Sequence, residues 1–192
     1  MPENAPHQQK QPTMSRRDRL RRVVILCRDF ARNRTYYRSG QSSRHKSLLD
    51  SPHVPRQFLA GYEQHFIDIC VLDWCKLFAE KSGKHYWINI VTDAAGFEAA
   101  LLKHLNVSAE EWQRQIDGMR RYRDKFLAHL DSDHVMNIPT LDLARDAIWF
   151  YHSWVVDKEA KAGDIDNLPN GLDTRFQQSQ REAERVFDAH LR

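Results

Sequence analysis

The sequence predicts an all-α protein, an antiparallel helical bundle with an additional Arg-rich helix in front and an amphipathic helix behind. Two observations carry this prediction. Apolar residues recur at steps of three and four along several long segments, the period of a helix with one face buried. The only β-prone run, Tyr86–Val91, is one short piece, and one strand cannot make a sheet. At 192 residues the chain suits one domain, expected over residues 15–192 with a core at about 55–162.

Residues 1–14 are polar and rich in Pro and Gln and are expected to be a disordered tail. A first helix is predicted from Ser15 to about Ser39, with Leu20, Val23, Val24, Cys27, Phe30 and Ala31 inward and its arginines on the other faces. The Ser/Pro-rich stretch from Gly40 to Pro55, holding Arg44, His45 and Lys46, reads as a mobile loop. A second helix runs from about Pro55 to Lys81, opened by proline and ended by Gly83. Its stripe is Leu59, Tyr62, Phe66, Ile69/Cys70, Asp73 and Leu77, with one charge on the seam. Tyr86–Val91 is taken as an extended connection packed on the bundle. A short helix covers Asp93 to Leu105.

Ser108-Ala109-Glu110-Glu111 has the form of a capping box and starts the next helix. That helix should fray near Asp131-Ser132-Asp133. Thr140, after Pro139, is expected to cap the following helix. There, Leu141, Leu143, Ala144, Ala147, Ile148, Phe150, Tyr151, Trp154 and Val155 are apolar around most of the circumference, which marks a central helix. The cluster Trp149, Phe150, Tyr151 and Trp154 reads as core, and His152 as a packed histidine. After a turn-rich break from Gly163 to Gly171, a last helix runs from Asp173 to about Leu191. Its apolar side is Phe176, Ala183, Val186/Phe187 and Leu191.

Composition excludes several classes. No apolar run approaches the ~20 residues that cross a bilayer, and the N-terminus lacks a signal core, so a cytoplasmic protein without membrane partners is expected. Cys27, Cys70 and Cys75 sit in apolar helical context without paired metal spacing and read as reduced thiols. The ten histidines scatter. There is no glycine-rich phosphate loop, and no cofactor or metal is expected. Charge is uneven: Ser15–Arg38 holds nine Arg against Asp18 and Asp29, a surplus of seven in a chain of net charge +3. That asymmetry points to an anionic partner, nucleic acid ahead of membrane, with Arg28, Arg32, Arg34 and Arg38 as candidate RNA phosphate contacts. Tyr36 and Tyr37 either stack on bases or pack a helix end on the bundle.

The most informative segment is Tyr122-Arg123-Asp124-Lys125-Phe126-Leu127-Ala128-His129-Leu130-Asp131. Arg123 falls on the seam Trp112, Ile116, Met119, Arg123, Phe126/Leu127, Leu130. A guanidinium there must find a carboxylate, reach water or face a second subunit. Asp73 and Asp68 are the carboxylates weighed as its partner. His129, six residues on, titrates near neutrality. RNA is cut without metal when its 2′-hydroxyl attacks the neighbouring phosphate. That needs a proton acceptor, a proton donor and positive charge on the phosphate, roles suited to imidazole and guanidinium. On an ideal helix, six residues separate the two groups by about 120° and about 9 Å. One composite site therefore needs a distorted helix end, a bent Arg123 or a second subunit, and two-fold symmetry would align two copies.

Arg123-Asp124, four further residues and His129, late in an α-bundle, resemble the signature of the HEPN superfamily, in which Arg and a polar residue precede His. The string Arg-Asp-Lys-Phe-Leu-Ala-His-Leu-Asp is similar to abortive-infection-type bacterial members. The resemblance implies a HEPN-like bundle, a homodimer and metal-independent endoribonuclease activity in phage defence or toxin–antitoxin settings. Arg123, Asp124 and His129 would then be the catalytic residues, Asp124 orienting rather than reacting, with an antitoxin or neighbouring-gene product as a further partner. A third role, as the target of a nucleotide transfer, ranks below these.

Plainer readings stand beside this one. His129 in a last helical turn is favoured by the helix dipole alone. Arg123 can serve as a structural ion pair, and Lys125 as a solvated neighbour. The arginines of the first helix can form a solvated face. The chain is then a non-catalytic helical module that binds nucleic acid or a partner protein.

Overall fold

The computed structural model describes residues 14–42, 56–128, 139–163, 165, 168 and 171–189. They form α1 (Arg16–Gly40), α2 (Arg56–Phe78), a 3-10 turn (Trp87–Asn89), α3 (Ala94–Leu105), α4 (Ala109–Tyr122), α5 (Asp142–Trp154) and α6 (Leu172–Ala189). Both α4 and α5 continue into π-helical turns, Arg123–Ala128 and Val155–Ala160. The described residues contain no strand, and none of their helices is long and apolar enough to cross a membrane. Residues 1–13 of the expected tail, the loop with Arg44, His45 and Lys46, and the fraying end at 131–133 lie outside them.

The Arg-rich helix is no addition. α1 packs against α2, α5 and α6 together. Leu20, Val23, Val24, Cys27, Phe30 and Ala31 are all fully buried in the main apolar cluster, so the core reaches well outside residues 55–162. The inward face also takes in Asn33, Arg34 and Thr35. Thr35 resolves its hydroxyl by donating to the Ala31 carbonyl at 2.8 Å.

α2 is buried around most of its second half, where Cys70, Val71, Trp74, Cys75, Leu77 and Phe78 meet α1 and α4. It ends at Phe78, short of the expected Lys81. Gly83 lies beyond it in a turn, donating its N–H to the Glu80 carbonyl at 2.7 Å. The Tyr86–Val91 segment is a tight turn rather than extended chain. It packs as expected, with Tyr86, Trp87, Ile90 and Val91 buried. Phe97 of α3 gathers the aromatics: Trp87, Tyr151 and Trp154 lie 5.0, 5.2 and 5.3 Å away between ring centroids. His152 is buried, as are the three free cysteines.

Side chains cap the starts of α1, α3 and α4. Ser15 and Asp93 accept from the backbones of Asp18 and Gly96. Both halves of the Ser108–Glu111 capping box form, at 3.2 and 2.7 Å. Thr140 does not cap α5: Leu141 is the N-cap residue and contributes no side-chain bond, because the helix begins one residue later than the Thr signal requires. On α6, Leu172, Ser179 and Ala183 are buried whereas Val186 is exposed, so the apolar side is narrower than its sequence suggests. Phe187 and Leu191 fall outside the described side chains.

Candidate functional site

The capping box fixes where α4 begins, and Trp112, Ile116 and Met119 are buried on schedule. At the end of the helix Tyr122, three residues after Met119, takes the inward position rather than Arg123, and hydrogen bonding passes to the wider i→i+5 pattern beyond it. Tyr122 donates to Asp68 at 2.7 Å and accepts from Gln64 at 2.6 Å. Arg123 is thereby turned to the margin of the bundle, its side chain 21% exposed.

Two carboxylates hold it. The Nε of Arg123 donates to Asp124 at 2.8 Å, and its Nη1 to Glu80, just past the end of α2, at 3.2 Å. The hydrogen bond to Asp124 is the leading reason the guanidinium is held even more firmly as a cation than usual; burial works against it. Neighbouring Arg120 donates to the Ala79 carbonyl at 2.8 Å and ties α4 to the same turn. Burial pushes the Cys75 thiol up to about 12, with Arg123 pulling the other way, so this cysteine is no nucleophile. The two anticipated partners are committed elsewhere, Asp73 to Lys76 at 2.9 Å and Asp68 to Tyr122. Lys125 is half-buried rather than solvated. His129 and Leu130 lie outside the described residues, as do the side chains of Phe126 and Leu127.

The four arginines selected on α1 differ in kind. Arg34 is 3% exposed and donates to Asp142 at 2.7 Å, so it is a structural cation and not a surface phosphate contact. Burial pulls its pKa down and Asp142 resists; in return Arg34 holds the Asp142 carboxyl below its ordinary value. Arg38 shares Asp142 at 3.0 Å, and Arg32 pairs with Asp29 at 3.0 Å. Arg28 is half-buried. Tyr36 is not a base-stacking platform: its hydroxyl donates to Glu182 at 2.7 Å and its ring meets Phe66 edge-on.

Two features escaped the sequence reading. Glu159, in the π-helical turn after α5, is 1% exposed and accepts four hydrogen bonds. The donors are Arg16 at 2.6 Å, the Thr92 amide at 3.0 Å, the Thr92 hydroxyl at 3.3 Å and the Trp154 indole at 3.1 Å. The second feature is a cleft of about 740 Å³ between the first half of α1 and the turn after α2. Arg21, Arg22, Lys76, Glu80, Lys84 and His85 are among the residues lining it. Burial lowers the His85 pKa, and Arg22, Lys76 and Lys84 lower it further against Glu80. The only sequence signal for this cleft is the surplus charge of α1, which does not say which arginines matter.

No protein-family profile, characterised protein or solved structure matches this chain.

Proposed function

We propose that this chain is a metal-independent endoribonuclease of HEPN type, acting as a homodimer in phage defence, abortive infection or a toxin–antitoxin pair. Arg123 clamps the scissile phosphate, Asp124 orients that guanidinium, and His129 moves the proton as general base or acid. The observation that carries this reading is the placement of Arg123. It stands at the start of a π-helical turn, a feature that recurs at functional sites. It is left partly exposed, and both of its carboxylates reach solvent. A phosphate arriving there exchanges one oxyanion partner for another, with no buried charge to uncover. The test is cleavage of single-stranded RNA with and without chelator. His129→Ala should lower the rate by about 10²–10⁴-fold while leaving the helical circular dichroism and the melting curve in place. A purified protein that cuts no RNA in either buffer ends this reading.

One observation favours the second reading, a helical module that binds nucleic acid or a partner protein and uses the motif structurally. Glu80 and Asp124 already balance the Arg123 charge, as a register-fixing ion pair would. In that case His129→Ala leaves nucleic-acid affinity unchanged and there is no cleavage to lose.

A further inference from the structure

We propose that the cleft between the first half of α1 and the turn after α2 binds the phosphate backbone of single-stranded RNA. The choice of polymer rests on the ribonuclease reading of Arg123, and the binding test below separates the two. Glu80, the carboxylate that holds Arg123, is a wall of this cleft. The groove and the motif arginine therefore meet at one side chain, and a strand lying in the groove passes directly beside the motif.

The charges in the cleft are unequally committed. Its two acids are engaged: Asp18 accepts from the Ser15 hydroxyl at 2.6 Å, and Glu80 accepts from Arg123. Lys76 is matched by Asp73. Arg21, Arg22 and Lys84 are exposed and have no ion-pair partner among the described residues. Three cations, Arg22, Lys76 and Lys84, surround the His85 imidazole closely enough to disfavour its charging, and its Nε2 is buried without a hydrogen-bond partner. Unneutralised cations drawn together around a concave surface repel one another, and an anionic polymer relieves that repulsion.

A second cleft supplies the contrast. About 460 Å³ in size and lined in part by Arg38 and Arg145, it has those cations matched by Asp142 and Asp146. The floor of the larger cleft is aliphatic, with Ile25 41% exposed beside Leu26. It offers apolar cover to bases but no aromatic face, so binding follows the backbone with little base preference.

The experiment uses the full chain carrying His129→Ala, so that no cleavage intervenes. Binding of a fluorescein-labelled oligouridylate is followed by anisotropy between 50 and 200 mM salt. Arg22→Glu/Lys84→Glu should weaken binding by about tenfold or more and reduce the salt slope by about 1.4, two phosphates at about 0.7 each. Arg181→Glu/Arg185→Glu, an equal charge change on exposed residues of α6, should change affinity less than about threefold. Circular dichroism confirms that both doubles stay folded. Equal weakening by both pairs, no oligouridylate binding, or displacement of the RNA by polyglutamate at lower concentration than by unlabelled oligouridylate overturns the proposal. If the groove pair alone weakens binding while the unmutated chain cuts no RNA, the groove stands and the nuclease reading falls. If the chain cuts RNA and the groove pair binds normally, the reverse holds.

Discussion

Arg123 and the two arginines that anchor α1 each face carboxylates across helices, yet their surroundings differ. Arg34 is sealed against Asp142, and Arg16 meets a Glu159 that three further hydrogen bonds lock in place. In those pairs one partner, Arg34 or Glu159, is almost wholly withdrawn from water. Arg123 has two carboxylates, and both remain in touch with solvent. The first kind of site holds the bundle in register, because losing one partner strands a buried polar group. The second kind can exchange partners. Burial, more than the presence of a carboxylate, separates a structural guanidinium from one free to meet a ligand.

The largest test of this contrast is Glu159→Ala. It leaves the Thr92 amide and the Trp154 indole without their acceptor and Arg16 with only the Ile90 carbonyl. A loss of about 3 kcal/mol or more is expected in urea denaturation. The matching change at the motif, Glu80→Ala, should cost only about 0.5–1 kcal/mol, because Arg123 keeps Asp124 and reaches water. Similar losses from the two variants would erase the distinction between the anchors and the motif.

Much of this architecture was legible because burial imposes a period. The stripes on α1 and α5, the first half of the stripe on α4 and the capping box at Ser108 are local patterns, and each occurs where its spacing placed it. Arg34 was misread as surface because its partner lies 108 residues away, and nothing local distinguishes a buried arginine from its solvated neighbours. Arg123 was found as a charge on a seam. Spacing allows either Tyr122, three residues after Met119, or Arg123, four after it, to face inward, and the bonds of Tyr122 to Gln64 and Asp68 decide for the tyrosine. Glu80 was passed over because the stripe read on that helix stops at Leu77, three residues before it. The basic cleft was invisible for a related reason. Its walls come from α1 and from a turn some sixty residues later, and only packing brings them together.

Asp73 gives the smallest and finest test, as a buried charge on a seam with a single partner. It is 6% exposed and accepts from Lys76 at 2.9 Å. Burial raises its carboxyl above the ordinary value, and the bond to Lys76 only partly opposes this. The folded state therefore holds the Asp73 proton more tightly than the unfolded chain does. Its contribution to stability is fully present below the unfolded value of about 3.9 and is lost as pH rises through the higher folded value. Asp73→Asn removes that titration and keeps an oxygen to accept from Lys76. The stability of the variant relative to the parent should then improve between pH 3.5 and pH 7, with the whole change within about 1 kcal/mol. Denaturation midpoints at the two pH values measure it. A variant that loses ground as pH rises would mean that Lys76 stabilises the ionised carboxylate more than burial disfavours it, placing Asp73 with the solvent-touching pair at Arg123 rather than with the sealed anchors of α1.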